Sequence, residues 1–80
     1  MYTTYILKSL KDGGYYFGHS IHIDIRIHQH NIGKVRSTKS RRPFILHYTE
    51  VFYLKSEAYH REMFFKSFEG RAWLKQNNII

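Results

Sequence analysis

Five residues of this sequence, Tyr5, Tyr16, Arg26, His30 and Glu62, are of types that can bind a phosphate, hold a metal ion or move a proton. Glu62 is a hard oxygen donor of the kind taken by Mg²⁺, an ion that keeps several waters and accepts few protein ligands. On a helix its neighbours at i−4, i−3, i+1 and i+3 are Ala58, Tyr59, Met63 and Phe65, which places the carboxylate inside an apolar arc. A carboxylate there is costly unless something cationic satisfies it. The cation is either a metal ion or an ordinary partner, Lys66 at i+4 or an Arg from another element.

Arg26 offers the planar fork that grips a phosphate bidentately, and stands among isoleucines on an amphipathic segment. An ordinary surface Arg would look the same. His30, at i+4 from Arg26, can accept or donate a proton near neutral pH. Helix or strand, that spacing puts the two on one face. His19 with His22, and His28 with His30, match no established zinc spacing, and no Cys supports one. Tyr5 and Tyr16 read equally well as cross-strand aromatics or as hydroxyls aimed at a substrate. Gly18 marks a place where a backbone passes closely or turns.

The chain that must position these residues is short, one domain over residues 1–80. A chain of that size buries roughly 60% of its surface. With no Cys, its core rests on side chains, and 18% aromatic content supplies them. The lack of Cys, of a membrane-length apolar run and of a signal-like start points to a cytoplasmic protein without membrane contact. The net charge of +7, from 13 Lys and Arg against 6 Asp and Glu, favours an anionic partner. Lys34, Arg36, Lys39, Arg41 and Arg42 concentrate that charge in one stretch, either a solvated loop or a nucleic-acid contact.

Tyr2 to Leu10 reads as a strand, Lys11-Asp12-Gly13-Gly14 as a turn with the positive φ a tight hairpin needs, and Tyr15 to His19 as the returning strand. From Ile21 to His28 isoleucine alternates with polar residues, a period-2 strand signal. Against a strand stand Ser20 as an N-cap, Asp24 in a first turn and Gly33 as a stop. Phe44 to Leu54 reads as a central or well-covered strand, apolar on both faces. Ser56 then caps a helix running to about Glu69 and stopped by Gly70, with a short final helix from Ala72 to about Asn77.

Order and spacing over most of the chain resemble the GIY-YIG nuclease superfamily. Thr3-Thr4-Tyr5 stands where the first motif ends in Tyr, and Tyr16-Phe17-Gly18 where the second lies. Ser20 matches a hydroxyl two positions on, Arg26 the helix-borne arginine, and His30 the residue one turn later, followed by Asn31 and Gly33. The basic loop, Arg42-Pro43, Glu50 and Arg61-Glu62 resemble a short stand-alone bacterial branch, with the nuclease domain of the excision-repair incision subunit a better understood relative. Thr3-Thr4 and Phe17 depart from the motif, and Asn77 and Asn78 do not match the late Asn of some relatives in spacing.

The resemblance implies an α/β (α+β) fold, a three-stranded antiparallel sheet flanked by helices in the order β-β-α-β-α-α, with a helix over Ile23 to Asn31 despite the alternation. It implies a DNA endonuclease using one divalent ion, Mg²⁺ or Mn²⁺, acting in DNA repair or recombination. Glu62 would hold the metal and Arg26 stabilise the phosphate. Tyr5, with Tyr16 or His30, would orient or deprotonate water, and Lys34 to Arg42 would track the DNA backbone. A protein partner would supply target specificity. Such a site requires Glu62 and Arg26 to line one concave face with a tyrosine hydroxyl between them. Two rivals remain: a nucleic-acid-binding module of this fold with weak or no catalysis, and a structural domain whose aromatics are only core.

Overall fold

In the computed structural model, which describes all of residues 1–80, the hairpin forms first in chain order: β1 (Tyr2–Ser9) and β2 (Tyr15–Ser20). The turn between them closes through side chains. Asp12 Oδ1 accepts from Gly14 N at 2.7 Å, and Ser9 Oγ accepts from the amides of Lys11 and Asp12, both at 3.1 Å. Gly13 supplies the left-handed residue, at φ 72°. The helix α1 (Ile23–Asn31) follows, then a 3₁₀ turn (Lys39–Arg41), β3 (Phe44–Phe52), α2 (Lys55–Lys66) and α3 (Phe68–Gln76). The element order is the expected β-β-α-β-α-α.

The Ile21–His28 conflict resolves as a helix, and exposure shows how. Ile23 and Ile27 pack on the Tyr5, Leu7 and Phe44 cluster, while Ile25 is exposed. A helical turn separates i from i+4 by only about 40°, whereas i+2 falls on the far side. Ser20 does not cap this helix. It ends β2, and its Oγ accepts from His22 N at 3.1 Å. Gly33 breaks the chain just beyond, at φ 84°. Asn31 then clamps the helix end to β3, donating to the Phe44 carbonyl and accepting from the Phe44 amide at 3.0 and 2.7 Å.

The sheet order is β2-β1-β3, with both neighbours antiparallel to β1. This corrects the reading of Phe44 to Leu54 as a central strand. β3 is an edge, and its Ile45, Leu46 and Val51 are exposed. Its apolar residues reflect strand propensity, which does not distinguish double burial from half burial. The truly central strand is β1, buried on both faces. Its odd residues Tyr5 and Leu7 face α1. Its even residues face α2 and α3: Ile6 packs with Phe17, Phe65 and Leu74, and Thr4 Oγ1 donates to the Ala58 carbonyl at 2.8 Å.

The second half of the chain departs from expectation at both helix ends. Leu54, not Ser56, precedes α2, and Glu57 Oε1 accepts from the Leu54 amide at 3.1 Å. α2 stops at Ser67 instead of running to Gly70. The Ser67 hydroxyl donates to the Phe64 carbonyl at 2.6 Å and accepts from Gly70 N at 3.0 Å, so one residue ends α2 and caps α3. Gly70 lies inside α3, where a Cβ would collide with the Phe64 carbonyl. Its role is close packing of two helices.

Arg61 ties these layers together. Its guanidinium lies 4.5 Å from the Trp73 ring centroid and 4.8 and 5.0 Å from those of Phe64 and Phe65. It also forks onto Glu50, Nε to Oε1 at 2.7 Å and Nη2 to Oε2 at 3.2 Å. Only a planar cation can stack and fork at once. No helix is long and apolar enough to cross a membrane.

Candidate active site at the β2 edge

Tyr5 pairs with Gly18 across the hairpin, and with no side chain at position 18 the Tyr5 ring lies over the glycine. Its hydroxyl is thereby carried from the central strand to the free edge strand. His30, fully buried on α1, meets it there, with Nε2 3.0 Å from the Tyr5 hydroxyl. Tyr16, two strand positions before Gly18 on the same face, sets its ring 4.9 Å from that of His30 and 6.5 Å from that of Tyr5. Arg26, one turn before His30, is half-buried, donates to Gln29 Oε1 at 3.1 Å, lies beside the Tyr5 hydroxyl, and has no carboxylate partner.

These surroundings move two proton affinities apart. Burial pushes the Tyr5 hydroxyl up to about 12, a rise that Tyr16 and the Glu62 charge reinforce and the Arg26 guanidinium opposes. Burial lowers His30 to about 4, and repulsion from Arg26 acts in the same direction. At neutral pH both groups are uncharged, a phenol against a neutral imidazole.

Glu62 comes from α2, on the stripe that carries Ala58 and Phe65, and is only 8% exposed. Its Oε2 accepts from Lys66 Nζ at 2.7 Å, the i+4 ion pair foreseen as its ordinary partner. Its Oε1 accepts from His19 Nδ1 at 2.8 Å. His19 neighbours Gly18 on β2, but its side chain takes the opposite face, with Phe17. The expectation of one face for Glu62 and Arg26 therefore needs correction. They flank β2 from its two sides, and the Tyr5 hydroxyl feels both charges, Arg26 lowering its proton affinity and Glu62 raising it. No pocket opens there, where a concave face was expected.

Of the motif residues, Phe17 belongs to the core, Gly18 makes room for Tyr5, and Ser20 closes β2. The basic loop packs beside the hairpin turn. Lys34, Arg36 and Lys39 are exposed and make no side-chain bond. Arg41 is committed to Asp12, at 2.7 and 3.3 Å, and holds that carboxyl well below the usual carboxylate range. Arg42 Nε donates to the Lys39 carbonyl at 2.8 Å.

Nowhere do three or more His, Asp or Glu side chains gather as a metal cage. The donors present fit a different ion, one that takes a single carboxylate and keeps its waters. Lys66, whose side chain is 47% exposed, reaches Glu62 from the solvent side. Two residues were given no such role by the sequence reading: His19, weighed there only as a zinc ligand and here holding Glu62, and Thr38, buried in the basic loop against His30. His19 carried a signal in its parity next to Gly18. Thr38 carried none.

The chain belongs to the GIY-YIG family: the GIY-YIG catalytic domain model matches residues 1–77. Among its relatives are UPF0213 proteins of Staphylococcus haemolyticus, 44% identical, and Staphylococcus saprophyticus, 46% identical. Each alignment covers 89% of this chain and 87% of the relative. The solution NMR structure of a UPF0213 protein from Bacillus halodurans is also similar, at 36% identity and a TM-score of 0.55. That match covers 95% of this chain and 84% of the other.

Proposed function

We propose that this protein is a divalent-metal-dependent endonuclease that hydrolyses phosphodiester bonds in DNA. The observation that carries the reading is the Tyr5 hydroxyl, 3.0 Å from His30 Nε2 and within the electrostatic influence of both Arg26 and Glu62. Arg26, without a carboxylate partner, would take the non-bridging oxygens of the scissile phosphate and offset charge that builds in the transition state. Tyr5 would orient the attacking water through its oxygen lone pairs. As the water O–H bond breaks, its proton passes to Tyr5 while the Tyr5 proton passes to His30 Nε2. Tyr16 would pack that pair in place. Glu62 would hold the ion, and Mg²⁺ or Mn²⁺ when bound supplies Lewis-acid charge to the phosphate and the leaving oxygen.

Lys34, Arg36 and Lys39 would track the backbone, with Arg41 and Arg42 shaping the loop that presents them. Repair or recombination intermediates, with a protein partner to direct target choice, are the setting in which such a domain would act.

A second reading, a DNA-binding module that does not cleave, draws on two observations: both Glu62 oxygens already accept hydrogen bonds, and Glu62 reaches β2 from the face opposite Arg26, where a single-metal site was expected to need one face. Plasmid, single-stranded and branched DNA incubated with Mg²⁺, Mn²⁺ or chelator separates the two. The nuclease reading requires metal-dependent cleavage that Glu62→Gln and Arg26→Ala each reduce about a hundredfold or more. Salt-sensitive binding without cleavage would favour the module. Full cleavage by Glu62→Gln would overturn the site.

A further inference from the structure

The basic segment 34–42 is exposed over most of its length, yet Thr38 in its middle is fully buried. Its Oγ1 lies 2.8 Å from His30 Nδ1 and donates to the Val35 carbonyl at 3.3 Å. A hydroxyl has one proton to give. When that proton is on Val35, Thr38 offers the imidazole only lone pairs, and the proton in their contact then belongs to Nδ1. A neutral imidazole carries one N–H, which leaves Nε2 as a bare lone pair facing the Tyr5 hydroxyl at 3.0 Å.

The neighbours of Tyr5 favour the same arrangement. Its oxygen faces the Arg26 guanidinium, a group made only of donors. Were His30 protonated on Nε2, the Tyr5 oxygen would face donors on both sides and its own proton would find no acceptor among these residues. The Nδ1–H form avoids that, and gives Tyr5, His30 and Thr38 complementary partners.

We propose that Thr38 is a positioning residue whose hydroxyl holds His30 in the Nδ1–H tautomer and so keeps Nε2 as acceptor of the Tyr5 proton. The catalytic consequence rests on the nuclease reading above, whereas the tautomer is a property of the folded chain alone. Thr38 lies between Arg36 and Lys39, so one hydroxyl also ties the phosphate-tracking loop to the reacting tyrosine. Without it, His30 would be free to adopt the Nε2–H form, which donates to the Tyr5 oxygen and blocks the proton's path. Residues that orient a working histidine in this way typically change activity by about 10–100-fold.

Nitrogen-15 NMR of the histidine side chains at neutral pH tests this directly. The wild-type protein should show His30 protonated at Nδ1 with a bare Nε2, and Thr38→Ser should keep that form. Thr38→Val, which removes the hydroxyl and keeps the shape, should shift His30 toward Nε2–H. Its kcat for DNA cleavage should fall about 10–100-fold while KM changes less than about twofold. Protonation of wild-type His30 at Nε2 overturns the proposal. So does Thr38→Val with unchanged tautomer and kcat, or Thr38→Ser as impaired as Thr38→Val, which would leave only packing by the methyl group. Should Thr38→Val fail to fold, the wild-type and Thr38→Ser spectra decide. A wild-type protein that cleaves no DNA defeats the nuclease reading, and the spectra still decide the tautomer.

Discussion

The Tyr5 ring fills the space that a side chain at position 18 would need: a Cβ on Gly18 would lie 2.5 Å from the Tyr5 hydroxyl. Tyr5 is buried in the central strand and has nowhere to retreat. Gly18→Ala should therefore push the hydroxyl off His30 and cost about 1–3 kcal/mol of stability, the usual range for overpacking. Denaturant unfolding reads the stability, and the hydroxyl proton of Tyr5 in NMR reads the displacement. A Gly18→Ala variant as stable as wild type, with the Tyr5–His30 bond intact, would refute this account of the glycine.

His30 makes stability depend on pH in a defined window. The unfolded chain takes up this proton near 6.5, the folded protein only near 4. The folded state binds fewer protons between those values, so its stability is fully present above the window and declines as pH falls through it. The total loss is on the order of 3 kcal/mol, at 1.36 kcal/mol per pKa unit. Unfolding measured at several pH values should show a decline that His30→Gln flattens. Equal slopes for the two proteins would place the titration elsewhere.

Gly70 should tolerate less than any exposed helical glycine. Ala normally stabilises a helix interior relative to Gly by up to about 1 kcal/mol. Here the added Cβ meets the Phe64 carbonyl, backbone that cannot step aside without parting α2 from α3. Gly70→Ala should lower stability by about 3 kcal/mol or more. A higher melting temperature for Gly70→Ala would return this glycine to a simple helix-propensity role.

The exposed cations of the basic loop are separable from the committed ones. If Arg36 and Lys39 each neutralise a duplex phosphate, the log–log salt slope of DNA binding should shrink by about 0.9 for each one replaced by Ala. Arg41→Ala should barely change that slope, because Arg41 is held by Asp12 at the hairpin turn. Fluorescence anisotropy over a salt series checks both. A larger slope change for Arg41 than for Arg36 would mean that the Asp12 pair opens to bind DNA.

What the sequence determined by itself was local or carried by motif spacing. The hairpin was legible because Asp12-Gly13-Gly14 demands a turn wherever the chain goes, and the order of Tyr5, Tyr16-Phe17-Gly18, Arg26, His30 and Glu62 pointed to the family. Partner choice was not legible. An isoleucine alternation cannot say whether a strand or a helix will consume it, and in α1 the deciding factor is the Tyr5, Leu7 and Phe44 surface on which Ile23 and Ile27 settle. The same limit hid the edge position of β3, since β propensity reflects side-chain shape and does not count neighbours. Gly70 looked like a helix stop because the sequence cannot show the Phe64 carbonyl that faces it. His19 and Thr38 became visible only once β2 met α2 and the basic loop folded over α1. A hydrogen bond between residues far apart in the chain is a property of distance in space, and only the tertiary structure sets that distance.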